Sequence, residues 1–83
     1  MKLLPEQCRA ARGLVNLTQE GLAELAGVSR STVRDFECHR HELHRATEAL
    51  LIRAFENAGL DLIFDQRKPG VRLRKNWLGA PKG

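Results

Sequence analysis

Apolar residues recur at helical spacing through the first part of the chain. Small or apolar side chains at steps of three and four residues predict an amphipathic helix over residues 5–15, beginning at Pro5. Thr18 is a good N-cap for a second helix over residues 19–26. Gly27 suits the left-handed conformation that often ends a helix, so this second helix is expected to stop there.

A third helix is predicted to begin after Ser29, its N-cap, and to run to about Cys38. Val33 and Phe36 form its apolar inner face. Its outer face carries the polar residues Arg30, Ser31, Arg34 and Asp35. Two helices joined by a short glycine-containing turn are typical of a helix-turn-helix unit, whose second helix presents its polar face to a partner.

The pattern changes after this helix. Residues 38–44 lack helical periodicity and are expected to form a loop, and residues 47–58 are predicted to form a fourth helix. The expected buried stripe of the fourth helix is Leu50, Leu51, Ala54, Phe55 and Ala58.

Beyond Gly59 apolar and polar residues alternate, which predicts two short strands joined by a turn at 67–70. Because an isolated hairpin is only marginally stable, this one is expected to pack on the helices or against another subunit. The predicted fold class is therefore mostly α, with four helices followed by a short C-terminal β-hairpin. The expected organisation is a helical domain over 1–59, a hairpin extension over 60–76 and a flexible basic tail over 77–83.

The charge of the chain is unevenly distributed. Residues 1–66 carry 8 basic and 10 acidic side chains, whereas residues 67–83 carry six basic and no acidic ones. A basic C-terminus favours a polyanionic partner, although a solvated tail would account for the same charges equally well.

No apolar run approaches the roughly 20 residues that span a bilayer, and the N-terminus lacks a signal-peptide stretch. The chain is therefore expected to be cytoplasmic, with no membrane partner.

Two cysteines, Cys8 and Cys38, are expected to be reduced thiols, with Cys8 partly buried in the first helix. The spacing of Cys38 and the histidines of the 38–44 loop resembles no standard structural metal site. No catalytic Ser-His-acid order, carboxylate pair or phosphate-binding glycine loop appears. We therefore expect no metal, no other cofactor, no small-molecule ligand and no enzymatic activity.

The segment from Thr18 to Glu37 resembles the phage repressor and Cro-like (XRE-type) helix-turn-helix regulators. The matching positions are Thr18-Gln19-Glu20, Leu22-Ala23, Ala26-Gly27-Val28-Ser29-Arg30, Thr32-Val33 and Phe36-Glu37. This resemblance implies a four-helix repressor-like domain that binds double-stranded DNA. The chain departs from the family after Glu37, where Cys38 and His39 stand in place of a small residue and a glycine.

The resemblance also implies roles for individual residues. Gln19 corresponds to a glutamine that holds a phosphate oxygen, and Arg12 and Glu37 correspond to a structural salt bridge between the first and third helices. The candidate base contacts are Arg30, Ser31, Arg34 and Asp35. The candidate phosphate contacts are Thr18, Gln19, Thr32, Arg40, His41 and Arg45.

Arginine and aspartate suit base recognition in different ways. An arginine can donate two hydrogen bonds to guanine O6 and N7, a contact worth about 1–3 kcal/mol of discrimination. Asp35 could accept from a cytosine amino group, exclude wrong bases, or orient Arg30 or Arg34; the sequence leaves these alternatives open.

The predicted function is that of a sequence-specific transcriptional regulator, a repressor, that binds an inverted repeat as a homodimer. The hairpin, or Leu73 together with Trp77, is the candidate dimer surface. The alternative is an antitoxin or antiactivator-type protein-interaction module on the same scaffold, which the acidic balance of residues 1–66 favours.

Overall fold

The computed structural model describes residues 2–74 as four helices followed by a two-stranded sheet. The elements are α1 (Pro5–Val15), α2 (Gln19–Ala26), α3 (Arg30–Glu37), α4 (Arg45–Asn57), β1 (Leu60–Ile63) and β2 (Gly70–Leu73). The predicted mostly α fold with a C-terminal hairpin is confirmed. Trp77 and the predicted tail over 77–83 lie outside the described residues.

Hydroxyl caps and a left-handed glycine set the boundaries of α2 and α3. The Thr18 Oγ1 accepts a hydrogen bond from the Gly21 N–H at 2.9 Å, and the Ser29 Oγ accepts one from the Thr32 N–H at 3.1 Å. Each cap satisfies an N–H group that has no partner within its helix. Gly27 adopts a φ of 75°, which ends α2 and turns the chain toward α3.

The fourth helix differs from its predicted form in two respects. It begins at Arg45 rather than Thr47, because His44 has an extended N-cap conformation and its carbonyl already accepts from the Glu48 N–H at 2.9 Å. It ends at Asn57 rather than Ala58. Leu50 is 43% exposed and therefore lies outside the buried stripe that was predicted to include it. Adjacent helical residues are rotated by about 100°, so Leu51 can face the core only by turning Leu50 away from it.

The core lies between the inner faces of the four helices and the hairpin. Its largest fully buried side chains include Phe55, Leu22, Leu51, Val33 and Leu60. Burial of Leu60 against the helical core confirms that the hairpin packs on the helices. Cys8 also lies within this core with no exposed surface, whereas only partial burial was predicted. The difference arises because Cys8 belongs to the face of α1 that packs toward α3.

A buried glutamine attaches the hairpin to α1. The strands pair antiparallel, with Leu60 opposite Leu73 and Ile63 opposite Gly70. The Gln7 Nε2 donates to the Ile63 carbonyl at 2.7 Å and to the Gly70 carbonyl at 3.1 Å. Its Oε1 accepts from the Leu4 N–H at 3.0 Å, which also satisfies the first turn of α1.

No helix within residues 2–74 is long and apolar enough to cross a membrane.

Replacing Gln7 with alanine should destabilise the fold by about 1–3 kcal/mol, because buried polar groups would lose hydrogen-bond partners. Chemical denaturation followed by far-UV circular dichroism measures this change. Gln66→Ala, at an exposed position in the hairpin turn, is the matched control and should shift stability by less than about 0.5 kcal/mol. Equal midpoints for the two variants would contradict the role assigned to Gln7.

Candidate nucleic-acid interface

The third helix has two chemically distinct faces. Val33 and Phe36 are buried against the core and fix the orientation of α3. Arg30, Ser31 and Arg34 are exposed on the opposite side, where they are free to contact a partner. Because α2 and α3 pack closely on each other, they form one unit that presents this polar face.

Hydroxyl groups are concentrated at the start of α3. The Ser29 Oγ lies 3.2 Å from the Ser31 Oγ and 2.7 Å from the Thr32 Oγ1. Each hydroxyl can both donate and accept, so the cluster can exchange an internal hydrogen bond for one to a phosphate or a base edge.

An ion pair lies on the outer face of α3. The Arg34 Nε is 3.2 Å from the Asp35 Oδ1, and Arg34 is the more exposed of the two side chains. Orienting Arg30 or Arg34 was one of the three roles left open for Asp35, and the structure shows Asp35 in contact with Arg34.

The loop after α3 carries further polar groups. Arg40 and His41 are exposed, and their N–H groups donate to the Asp35 carbonyl at 2.8 and 3.4 Å. The loop therefore folds back against the last turn of α3. Arg45 is exposed in the first turn of α4.

His39 stands where the resemblance implies a glycine, and its backbone adopts a conformation that glycine favours. His39 adopts a φ of 62°, the left-handed conformation that a residue with a Cβ rarely takes. Its Nε2 lies 3.0 Å from the Glu6 Oε2 on α1. A hydrogen bond from a backbone N–H, reinforced by His39, holds the pKa of Glu6 below its usual range.

Glu37, at the end of α3, is the centre of a buried polar cluster. Its Oε2 accepts from the Arg12 Nε at 2.8 Å and from the Cys8 Sγ at 3.0 Å. Its Oε1 accepts from the Arg12 Nη2 at 2.7 Å and from the Gln19 Nε2 at 3.0 Å. We call these four residues the Glu37 cluster; it joins α1, α2 and α3 through one carboxylate.

The Glu37 cluster keeps its carboxylate charged despite burial. Burial alone would raise the pKa of Glu37, but hydrogen bonds from Arg12, Gln19 and Cys8 outweigh it and hold the pKa below its usual range. The hydrogen bond to Glu37 raises the pKa of Arg12 in turn. Burial and the neighbouring Glu37 carboxylate raise the pKa of the Cys8 thiol, which is therefore a neutral donor and a poor nucleophile.

The pairing of Arg12 with Glu37 was predicted from the sequence, but three other contacts of Glu37 were not: the hydrogen bond from Gln19 and those from Cys8 and Arg9. Cys8 donates its thiol hydrogen to the carboxylate, and the Arg9 guanidinium donates to the Glu37 backbone carbonyl. The spacing of Cys8 and Arg12, four residues apart on one helix, was a signal that could have placed Cys8 in the cluster.

The described part of the chain contains side chains of the kinds that coordinate metal ions. Within residues 2–74, no three His, Cys, Asp or Glu side chains are arranged to hold a metal ion.

Residues 9–37 match the model of a helix-turn-helix family. The matched segment runs from α1 through the last residue of α3, so it contains Arg12, Gln19 and Glu37 as well as the polar face of α3. The XRE-type resemblance is confirmed, and this segment is a DNA-binding helix-turn-helix. No curated protein matches the chain.

Replacing Glu37 with glutamine should destabilise the fold by about 3 kcal/mol near neutral pH, because Arg12 would keep its charge without a carboxylate partner. The variant should also lose part of the acid sensitivity of the native protein. A lowered folded-state pKa adds stability above the ordinary value of 4.5, and this stability is lost as the pH falls through the folded-state value. Denaturation midpoints between about pH 6 and pH 3 measure both effects.

The matched control for this prediction is Glu24→Gln, which removes an exposed carboxylate from α2. Its stability should follow that of the native protein across the same pH range. If Glu37→Gln were as stable and as acid-sensitive as the control, the Glu37 cluster would not hold the three helices together.

Proposed function

We propose that this protein is a sequence-specific transcriptional repressor that acts in the cytoplasm as a homodimer on an inverted-repeat site. In this proposal α3 lies in the major groove of double-stranded DNA, with its N-terminal turn at the base edges. The observation that carries the proposal is the polar, largely exposed outer face of α3 within the segment that matches the helix-turn-helix family.

Arg30 is the principal base-contacting residue in this proposal. It is exposed in the first turn of α3, the part of a recognition helix that approaches base edges most closely. Its guanidinium can donate two hydrogen bonds to a guanine. Ser31, one position further along, is exposed beside it and completes the leading edge of the helix.

The proposed phosphate contacts surround that leading edge. The Thr18 Oγ1 accepts from Gly21, so its hydroxyl hydrogen remains free to donate to a phosphate oxygen. Gln19 uses one of its two amide hydrogens on Glu37, which leaves the other for a phosphate. Thr32, Arg40, His41 and Arg45 are the remaining candidates.

The hairpin is the proposed dimer surface, because its outer strand edge has backbone groups available for pairing. The Arg74 N–H donates to the Gly59 carbonyl at 2.8 Å, so alternate residues of β2 point toward β1. The N–H groups of Val71 and Leu73 therefore point away from β1, as at the edge of any antiparallel pair. Pairing of two β2 strands across a two-fold axis would give a four-stranded sheet and two recognition helices for successive major grooves, about 34 Å apart.

Arg30→Ala should abolish preference among DNA sequences while leaving helix content intact, because it removes the guanine contact but no core contact. Gln19→Ala should weaken binding to all sequences alike. Arg53→Ala removes the same charge as Arg30→Ala from an exposed position on α4 and is the matched control. Fluorescence anisotropy with a selected site and a scrambled site measures each effect. Normal site preference in Arg30→Ala would show that α3 is misplaced in this proposal.

Salt dependence separates DNA binding from the alternative of a protein-interaction module. Binding through several phosphates should weaken steeply with the logarithm of salt concentration, because counterions are released from DNA. A largely apolar protein interface should change little over the same range.

Val71→Pro should shift the protein from dimer to monomer, because proline removes the outward N–H of β2 without breaking the pairing with β1. Sedimentation or light scattering measures the mass, which should approach twice 9.3 kDa for the native chain. Circular dichroism checks that the variant remains folded. A variant that is folded and still dimeric would exclude the β2 edge as the interface.

A further inference from the structure

The outer face of α3 carries a single acidic side chain, Asp35, among basic and hydroxyl groups. A carboxylate in the major groove is repelled by the phosphates on either side unless a base or a cation pairs with it. The Asp35 Oδ1 accepts from the Arg34 Nε at 3.2 Å, so the cation is supplied by the same helix.

Side chains of adjacent helical residues do not ordinarily face each other, so this contact determines the direction in which the Arg34 side chain turns. The long Arg34 side chain must turn toward Asp35 for its Nε to reach the carboxylate. The Nε–H is thereby occupied, and the two Nη groups remain as a pair of donors. Two such donors match the O6 and N7 acceptors of a guanine.

Asp35 is the more firmly placed member of the pair. Its side chain is 22% exposed, against 47% for Arg34. It lines a cleft of about 290 Å³ together with Thr32, His41 and Leu43, between α3 and the loop that follows. Its backbone carbonyl also holds that loop through the Arg40 N–H. A fixed carboxylate that holds a long side chain reduces the conformational entropy that the arginine would lose on binding a base.

We infer that Asp35 is a specificity-determining residue that acts through Arg34, and that the two side chains recognise one guanine as a unit. This inference rests on the proposed placement of α3 in the major groove. It differs from direct recognition of a cytosine by Asp35, in which each residue would determine its own base pair.

The test is selection of bound sequences from random double-stranded DNA by the native protein and by Arg34→Ala, Asp35→Ala, Asp35→Asn and the double alanine variant. Both single alanine variants should lose preference at the same base pair, each by about tenfold. The double variant should lose no more than Arg34→Ala alone, because the residues act as a unit. Asp35→Asn should retain part of the preference, since an amide oxygen can still accept from the Arg34 Nε.

Asp65→Ala, which removes the same charge from an exposed position before the hairpin turn, is the control and should leave every base preference unchanged. Loss of preference at two different base pairs, or additive losses in the double variant, would overturn the inference while leaving the proposed function intact. Failure of the native protein to enrich any sequence would instead overturn the proposed function, and the inference with it.

Discussion

The hydrogen bonds to the buried Glu37 carboxylate hold together the helices that form the candidate interface. The carboxylate is buried at the end of α3 and accepts hydrogen bonds from one side chain of α2 and two of α1. A charge buried in this way is costly unless its lone pairs are satisfied, and here both oxygens have two donors. These four hydrogen bonds tie α1 and α2 to the end of α3 and so favour the observed arrangement of the three helices.

The same arrangement separates the polar groups by task. Arg12, Cys8 and Gln19 direct donors inward to Glu37, while Arg30, Ser31 and Arg34 remain exposed on the far side of α3. Gln19 is half-buried on α2 and commits one amide hydrogen to the cluster; in the proposed function its other amide hydrogen contacts a phosphate. The candidate interface near α2 therefore shares a hydrogen bond with the buried charge, whereas within residues 2–74 no side-chain hydrogen bond joins Arg30, Ser31 or Arg34 to Glu37.

The sequence predicted the fold well where local chemistry decides the outcome. Thr18, Ser29 and Gly27 determine their helix ends through caps and a left-handed turn, so those boundaries could be read without the structure. The start of α4 could not, since His44 makes no side-chain cap and Arg45 gives no local signal. The Gln7 contacts to Ile63 and Gly70 could not be predicted either, because they join residues more than 50 positions apart. Candidate site residues were identified by type and helical face, but the pairing of Asp35 with Arg34 required side-chain geometry.

Helix α1 holds the end of α3 from two sides. Arg12 donates to the Glu37 carboxylate and Arg9 donates to the Glu37 backbone carbonyl. The Glu6 carboxylate contacts the ring of His39, two residues beyond Glu37. The C-terminal end of α3 is therefore tied to α1 by contacts from three residues of that helix. If α3 lies in the major groove as proposed, a helix held in this way would adjust little to variation in groove width, and conformational adjustment would fall to the DNA. Base steps that deform easily would then contribute to site preference at positions that no side chain touches.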